Sequence, residues 1–344
     1  MCKQKKEVSH RYAVIFDTNA YRNLVKDIGE DVVETFVDEL RQKENNKNIK
    51  CFGHVIVATE MLNHLCEYGD SAFNECYKGV IAMYHHCLDE NTMEPKIIPH
   101  SKLLLCECLF QQKPNQLVDD VRNFGGIMKD VIDCKGNIDN HQKSGTFNNI
   151  KDFIKDQEKE FADAVFNTIE FYRNIVKKEI VKSVRSKNFG KTEDEIQELI
   201  KKRATENEIR KRTIQKINNN NFLENRSEEL VQDISLQLDI QIGQRDCKDK
   251  AKDLREHLPL SVRFFQWICQ YVVTNKTDIY SHKSQHNKWN WVWDMQVSFC
   301  SGAAIDKRKL LIVTDDGDIK EVVNQYGGTT QVMNLDEYKS FVGI

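Results

Sequence analysis

Two short apolar runs stand at opposite ends of this chain, and each stops at a carboxylate. The first is Tyr12-Ala-Val-Ile-Phe16, followed by Asp17-Thr18-Asn19; the second is Leu310-Leu-Ile-Val313, followed by Thr314-Asp315-Asp316-Gly317-Asp318. Unbroken runs of β-branched, aliphatic and aromatic residues read as strands buried on both faces, the kind found in parallel sheets covered by helices. In such sheets ligand sites form outside the carboxyl ends of the strands. Acids delivered to that edge from both ends of the chain repel one another, so the edge calls for a neutralising cation, Mg²⁺ or Mn²⁺.

The segments between support this reading. Asp31–Arg41 is an amphipathic helix with Val32, Val33, Phe36, Val37 and Leu40 at helical spacing. Polar Glu44–Lys50 is a turn and Lys50–Phe52 a short strand. His54–Cys66 is a helix that buries Val55, Ala58, Met61, Leu62 and Leu65 and carries Glu60. A further helix starts near residue 72, and Leu103–Leu109 fits either strand or helix. Toward the other end, Leu260–Val273 is apolar enough for the core, and Lys288–Ala304 reads as a buried helix carrying Asp294. Lys309–Val313 is a strand, Ile319–Tyr326 a helix and Thr330–Asn334 a last strand. Alternating β and α elements predict an α/β fold with a central parallel sheet built from 10–100 and 260–344.

Between these parts, 118–258 changes character. Charge is dense, proline is absent and helix formers dominate, so this stretch is expected to be a helical insertion. Phe161, Val165, Thr168, Tyr172, Ile175 and Val176 give one apolar stripe, Ile196, Leu199 and Ile200 a second, and Leu230, Ile234, Leu236 and Leu238 a third. Breaks are expected at Asn188–Gly190 and Asn218–Asn221. Arg173–Lys216 holds 14 basic and 7 acidic side chains, a net +7 within a chain of net charge −3. Lys201, Lys202 and Arg203, with Arg210, Lys211 and Arg212, either meet a phosphate backbone or form a solvated face with pairs such as Glu198–Lys202.

The whole-chain charge excludes a generally basic nucleic-acid binder. The 11 cysteines show no C-x-x-C spacing and are expected to be reduced thiols. No apolar stretch approaches the roughly 18 residues of a membrane span, and the charged first residues lead into no signal-like segment. A cytoplasmic protein without a membrane partner is the expectation. Trp289-Asn-Trp291-Val-Trp293 is either a stacking surface for unpaired bases or core packing. His282, Lys283, His286 and Lys288 either meet phosphate or are a polar loop, and His85-His86 is expected to be structural or exposed.

Phe16-Asp17-Thr18-Asn19, Val55…Glu60-Met61-Leu62, Asp294 with Ala303-Ala304 behind it, and Ile312-Val-Thr314-Asp-Asp316-Gly-Asp318-Ile319 occur in the order and context of the PIN-domain family. The chain resembles those metal-dependent nucleases over roughly 10–70 and 285–344 and departs from them in its long interior. The resemblance implies a three-layer α/β/α domain in which Asp17, Glu60, Asp294 and Asp316 bind one or two Mg²⁺ or Mn²⁺ ions and carry the reaction. Asp318 would be a further metal ligand, and Asn19 and Thr314 would orient carboxylates or contact substrate. The implied activity is phosphodiester hydrolysis, with RNA the favoured substrate and a defence or toxin-type effector one setting.

Other readings stay open. The chain fits a catalytically inactive scaffold that binds nucleic acid or a protein partner, or one that self-associates through the insertion. A DNA nuclease of the flap or single-strand type fits as well. A phosphatase-like hydrolase is disfavoured because Asn19, not an acid, follows Thr18. Each acid also has a plainer role: Asp17-Thr18-Asn19 and Asp315–Asp318 as helix caps, Glu60 as a solvated helix residue.

Overall fold

Five consecutive apolar side chains make β1 (Tyr12–Phe16) a strand that is buried from end to end. It pairs in parallel with β2 (Ile49–Cys51) on one side and with β8 (Arg308–Val313) on the other. The far edge of β8 takes the two-residue β7 (Ala304–Ile305) in antiparallel and β9 (Gln331–Met333) in parallel. The structure, a computed structural model, describes residues 11–67, 69–134, 145–280 and 290–344; the side chains of 116–122, 145 and 146 fall outside the description. The expectations for His282, Lys283, His286, Lys288 and Trp289 lie outside the described residues.

The result is a mixed α/β fold around a mostly parallel sheet. Its order reverses between β1 and β8: the chain leaves β1 toward β2 and returns much later on the opposite side. Phe16 lies in register with Val313, so Asp17 and Thr314 leave neighbouring strands at the same level. A reversal of this kind opens a crevice at the carboxyl edge.

Helices follow the strands. After β1 come α1 (Thr18–Val25), a 3-10 turn at Glu30–Val32 and α2 (Val33–Asn46). β3 (Gly53–His54) leads into α3 (Val55–His64), then α4 (Phe73–His86). β4 (Leu88–Asp89) and β5 (Glu94–Pro95) form a small hairpin, and β6 (Ile97–Ile98) pairs with β3. α5 (Ser101–Phe110) settles the ambiguous Leu103–Leu109 stretch as helix, capped by His100. α6 (Asn115–Asp133), the 43-residue α7 (Gly145–Lys187), α8 (Glu193–Arg203), α9 (Glu206–Ile217), α10 (Asn220–Gln237) and α11 (Gln244–His257) make up the interior. α12 (Leu260–Asn275), α13 (Asn290–Ser298), α14 (Gly317–Tyr326) and α15 (Leu335–Val342) complete the chain.

Several expectations need correction. Glu44–Lys50 is not a turn throughout, because α2 continues to Asn46. Glu44 is 2 % exposed and accepts from both His86 and Tyr338, partners that local sequence does not reveal. The helix expected to reach Ala304 ends at Ser298; Gly302 then takes φ +94° with a Cβ position only 2.8 Å from the His257 carbonyl, so a glycine is needed there. Leu236, placed on a buried stripe, is 76 % exposed. α1 and α15 are additional to the elements that the periodicity predicts.

The helical middle of the chain shares its packing with the sheet. Phe147, Ile150, Ile154, Phe161, Val165, Ile169 and Tyr172 of α7 belong to the same apolar cluster as β1 and β8. One turn further, Val176, Ile180 and Val184 join Ile209 in a separate small core that also holds Ile196, Leu199 and Ile200. α7 thus passes from the main core to a distal tip made with α8 and α9.

Candidate functional site

Asp17 caps α1: its Oδ1 accepts from the Ala20 amide at 2.6 Å. Its Oδ2 accepts from the Thr314 hydroxyl, across the reversal between β1 and β8. Thr314 Oγ1 in turn accepts from the Asp316 amide at 2.9 Å. Asp316 caps α14, its Oδ1 accepting from the amides of Asp318 at 2.8 Å and Ile319 at 3.0 Å. The plainer capping role is therefore real for both acids. It occupies Oδ1 of each and leaves the second oxygen of Asp316 outside the cap.

Glu60 comes from the second turn of α3. Its Oε2 accepts from the Thr18 hydroxyl at 2.5 Å, so the residues just after β1 both supply one acid and hold another. Burial pushes the Glu60 carboxyl up to about 7; the Thr18 bond and the Arg22 charge oppose this, and the Asp17 and Glu158 charges add to it. Burial likewise pushes Asp17 up to about 7, against the hydrogen bonds from Thr314 and Ala20 and with the charges of Asp316 and Asp315.

Asp294, on α13, is opposed both by burial and by the charges around it. Its Oδ2 is buried and has no hydrogen-bond partner among the described residues. Burial is the largest cause holding its carboxyl well above the usual range, followed by the charges of Asp316, Glu60, Asp17 and Asp318. Each of the other four candidate acids therefore acts on Asp294. Asp318 is raised by burial first; Trp291 opposes this by donating Nε1 to its Oδ2 at 2.9 Å, and Asp316 adds to it.

The structure thus gathers Asp17, Glu60, Asp294, Asp316, Asp318 and Thr314 at one edge. Asn19 is exposed in the first turn of α1, and Asp315 faces solvent, where Asn23 donates to it at 3.2 Å. Trp291 and Trp293 are 2 % and 4 % exposed, which fits core packing rather than base stacking. Trp291 packs edge-on to Trp267 and Tyr271 while its indole N–H holds Asp318.

Three contributors escape a reading of the sequence. Glu158 of α7 is hydrogen-bonded by Trp293, and burial raises its carboxyl. Arg22 brings a cation toward Glu60, and its Nε is buried without a partner among the described residues. Thr18, noted only within its motif, holds Glu60. A signal existed for Thr18 and Arg22, since both follow Asp17 in the first turns of α1.

The six basic candidates are not at this edge. Lys201, Lys202 and Arg203 are exposed on α8, and Arg210, Lys211 and Arg212 lie on α9. Lys202 pairs with Glu198 at 2.9 Å and Arg212 with Glu208 at 2.6 Å, as the solvated-face reading expects. Lys202, Arg203 and Arg212 line a cleft of about 380 Å³ with Ile180 of α7. At 1.5 Å per residue, Ile180 stands about 33 Å along the helix from Glu158. The basic surface therefore lies at the distal tip rather than beside the acids.

A cation would suit the acidic edge on two grounds. The donor set is oxygen only, which hard divalent ions prefer, and Asp294 keeps a buried carboxylate oxygen with no partner among the described residues. Among the described residues, however, no group of three or more His, Cys, Asp and Glu side chains forms a ready-made metal cage. The carboxylates would have to draw together on an ion. No helix among the described residues is long and apolar enough to cross a membrane. No family model matches the chain, and no curated protein or solved structure is significantly similar to it.

Proposed function

We propose that the acidic edge is the centre of a divalent-metal-dependent nuclease, in a PIN-like three-layer α/β/α domain interrupted by a helical insertion. The observation that carries this reading is Asp294: a buried carboxylate oxygen, without a partner among the described residues, in a side chain on which four other acids act. Five like charges from four separate segments have no structural purpose that caps would not serve better, and a cation removes the conflict.

In this reading Asp17, Glu60, Asp294 and Asp316 hold Mg²⁺ or Mn²⁺, with Asp318 a further ligand. When bound, a divalent ion supplies a water of lowered pKa and shields the leaving oxyanion. The chain's own residues set the stage. Thr314 fixes Asp17 and the Asp316 amide at once, Thr18 fixes Glu60, and Trp291 fixes Asp318. These bonds orient Asp17, Glu60 and Asp318, and the carboxylates would close the remaining distance on an ion. Asn19 offers an exposed amide to a phosphate at the same edge. The basic tip steers a long polyanion through its charge, and single-stranded or structured RNA in the cytoplasm is the substrate we favour.

Labelled single-stranded RNA and DNA, incubated with Mn²⁺ or Mg²⁺, test this against Asp17→Asn and Asp316→Asn. Metal-dependent cleavage by wild type, lost in both variants, supports the reading and separates RNA from DNA. Cleavage that survives in both variants overturns it.

One observation favours a second reading, a metal-free scaffold. Asp17 and Glu60 are pushed to about 7, so at neutral pH protons alone relieve part of the repulsion. Absence of both cleavage and Mn²⁺ binding by wild type selects that reading.

A further inference from the structure

A second polar cluster lies in the core beside the sheet, apart from the acids. Cys51 ends β2 and Cys87 follows α4, 36 positions later, and their sulfurs stand 3.5 Å apart. Both side chains are buried, at 7 % and 2 % exposure. The Tyr21 hydroxyl lies 3.5 Å from each sulfur. His86 Nδ1 is 3.2 Å from Cys51 Sγ and 3.3 Å from the Tyr21 oxygen. Its Nε2 is 2.9 Å from both oxygens of Glu44, which also accepts from Tyr338. This contact fixes the ring, with Nε2 toward the carboxylate and Nδ1 toward the thiols.

The two thiols are not equivalent. Burial alone would push the Cys87 thiol up, but the Cys51 hydrogen bond, the His86 charge and the Tyr21 hydrogen bond outweigh it and hold Cys87 below its usual range. Burial pushes the Cys51 thiol well up. The more easily ionised thiol thus stands beside the more weakly acidic one. A cavity of about 170 Å³ reaches them, lined by Cys51, His86 and Cys87 together with Arg41, Lys50 and Lys96. That is ample room for a molecule little larger than water.

We propose that Cys51 and Cys87 are a peroxide-responsive dithiol that closes to a reversible disulfide. The Cys87 thiolate attacks one oxygen of hydrogen peroxide. The sulfur–oxygen bond forms, the oxygen–oxygen bond breaks, and the departing hydroxide takes a proton from His86 and leaves as water. The Cys51 sulfur then attacks the resulting sulfenic acid. The sulfur–sulfur bond forms, the sulfur–oxygen bond breaks, and hydroxide leaves with the Cys51 proton as a second water. Two thiols lose two electrons and one peroxide gains them. The bond ties the end of β2 to the end of α4, next to Tyr21, one turn beyond Asp17.

Full-length protein is treated with hydrogen peroxide, its remaining thiols are alkylated, and peptides are mapped without reduction. The expected product is a Cys51–Cys87 linked peptide that dithiothreitol reverses. In Cys51→Ser, dimedone is expected to label Cys87; in Cys87→Ser, it leaves Cys51 unlabelled. A linkage dominated by other cysteines, or no linkage while other thiols oxidise, overturns the proposal. So does stoichiometric zinc in purified wild type that is released on losing Cys51, because the thiols would then be metal ligands. The wild-type peptide map and metal content decide the matter even if a variant fails to fold. Neither readout depends on nuclease activity.

Discussion

Thr314 donates its hydroxyl to Asp17 across 297 positions of sequence, and the same oxygen accepts the Asp316 amide. One small side chain thereby joins the ends of the chain at the sheet's reversal. Thr314→Val keeps the shape and removes both bonds. Because the Thr314 bond holds Asp17 down, its loss moves that carboxyl above its present value of about 7. The expected cost is about 1.5–3 kcal/mol, the range for hydrogen bonds to charged groups, read by urea unfolding without metal. An unchanged Asp17 titration by NMR would show that the bond contributes nothing.

Asp294→Asn is expected to act in opposite directions on stability and activity. The amide cannot ionise, so at a pH where Asp294 carries its charge against the four acids the metal-free variant is expected to be the more stable, by about 1.4 kcal/mol or more. The same change removes an oxygen donor, and metal-dependent cleavage is expected to fall at least about 100-fold, the loss of roughly 2.7 kcal/mol of transition-state stabilisation. Thermal melting in EDTA beside a cleavage assay measures both. A destabilised variant would mean that Asp294 has an ordinary structural role.

The pH dependence of stability has a definite sign. Asp17 and Glu60 titrate near 7 in the folded protein, above the roughly 4 of unfolded carboxyls, so the folded state binds more protons between these values. Stability from these two groups is full below about pH 4 and is lost as pH rises through about 7. Melting temperature in EDTA should fall from about pH 5 to about pH 8. Saturating Mn²⁺ should flatten the slope, because an ion replaces the protons. A rise over that interval in EDTA would contradict the burial of both carboxyls.

Reversing charge at the tip tests long-range steering. Lys202→Glu with Arg203→Glu is expected to weaken binding of long RNA and to reduce the slope of log affinity against log salt by about 0.7 for each phosphate no longer neutralised. Oligonucleotides too short to span the roughly 33 Å from the acids to Ile180 should be cleaved as by wild type. Equal impairment on short and long substrates would place the cations nearer the chemistry than the helix geometry does.

How much of this was legible depends on how local each signal is. β1 and β8 announce themselves as unbroken apolar runs, and the acids that follow them inherit their position from the strands. Glu60 and Asp294 sit on helices whose buried faces were readable. Glu158 was not legible: one more acid in a charged helix has no local mark, and only Trp293 distinguishes it. Glu44 was misread for the same reason, since its partners His86 and Tyr338 come from 42 and 294 positions away. The insertion's helices were readable from periodicity, but its basic tip could be placed only once the length of α7 was known.

α7 is buried among the main core up to Tyr172 and belongs to the distal core from Val176 onward. Such a rod is a lever with its fulcrum between those residues and Glu158 on the longer, gripped arm. A load on the tip, whether from a polyanion or another body, is delivered as torque to the Trp293–Glu158 contact and so to the rim of the acid cluster.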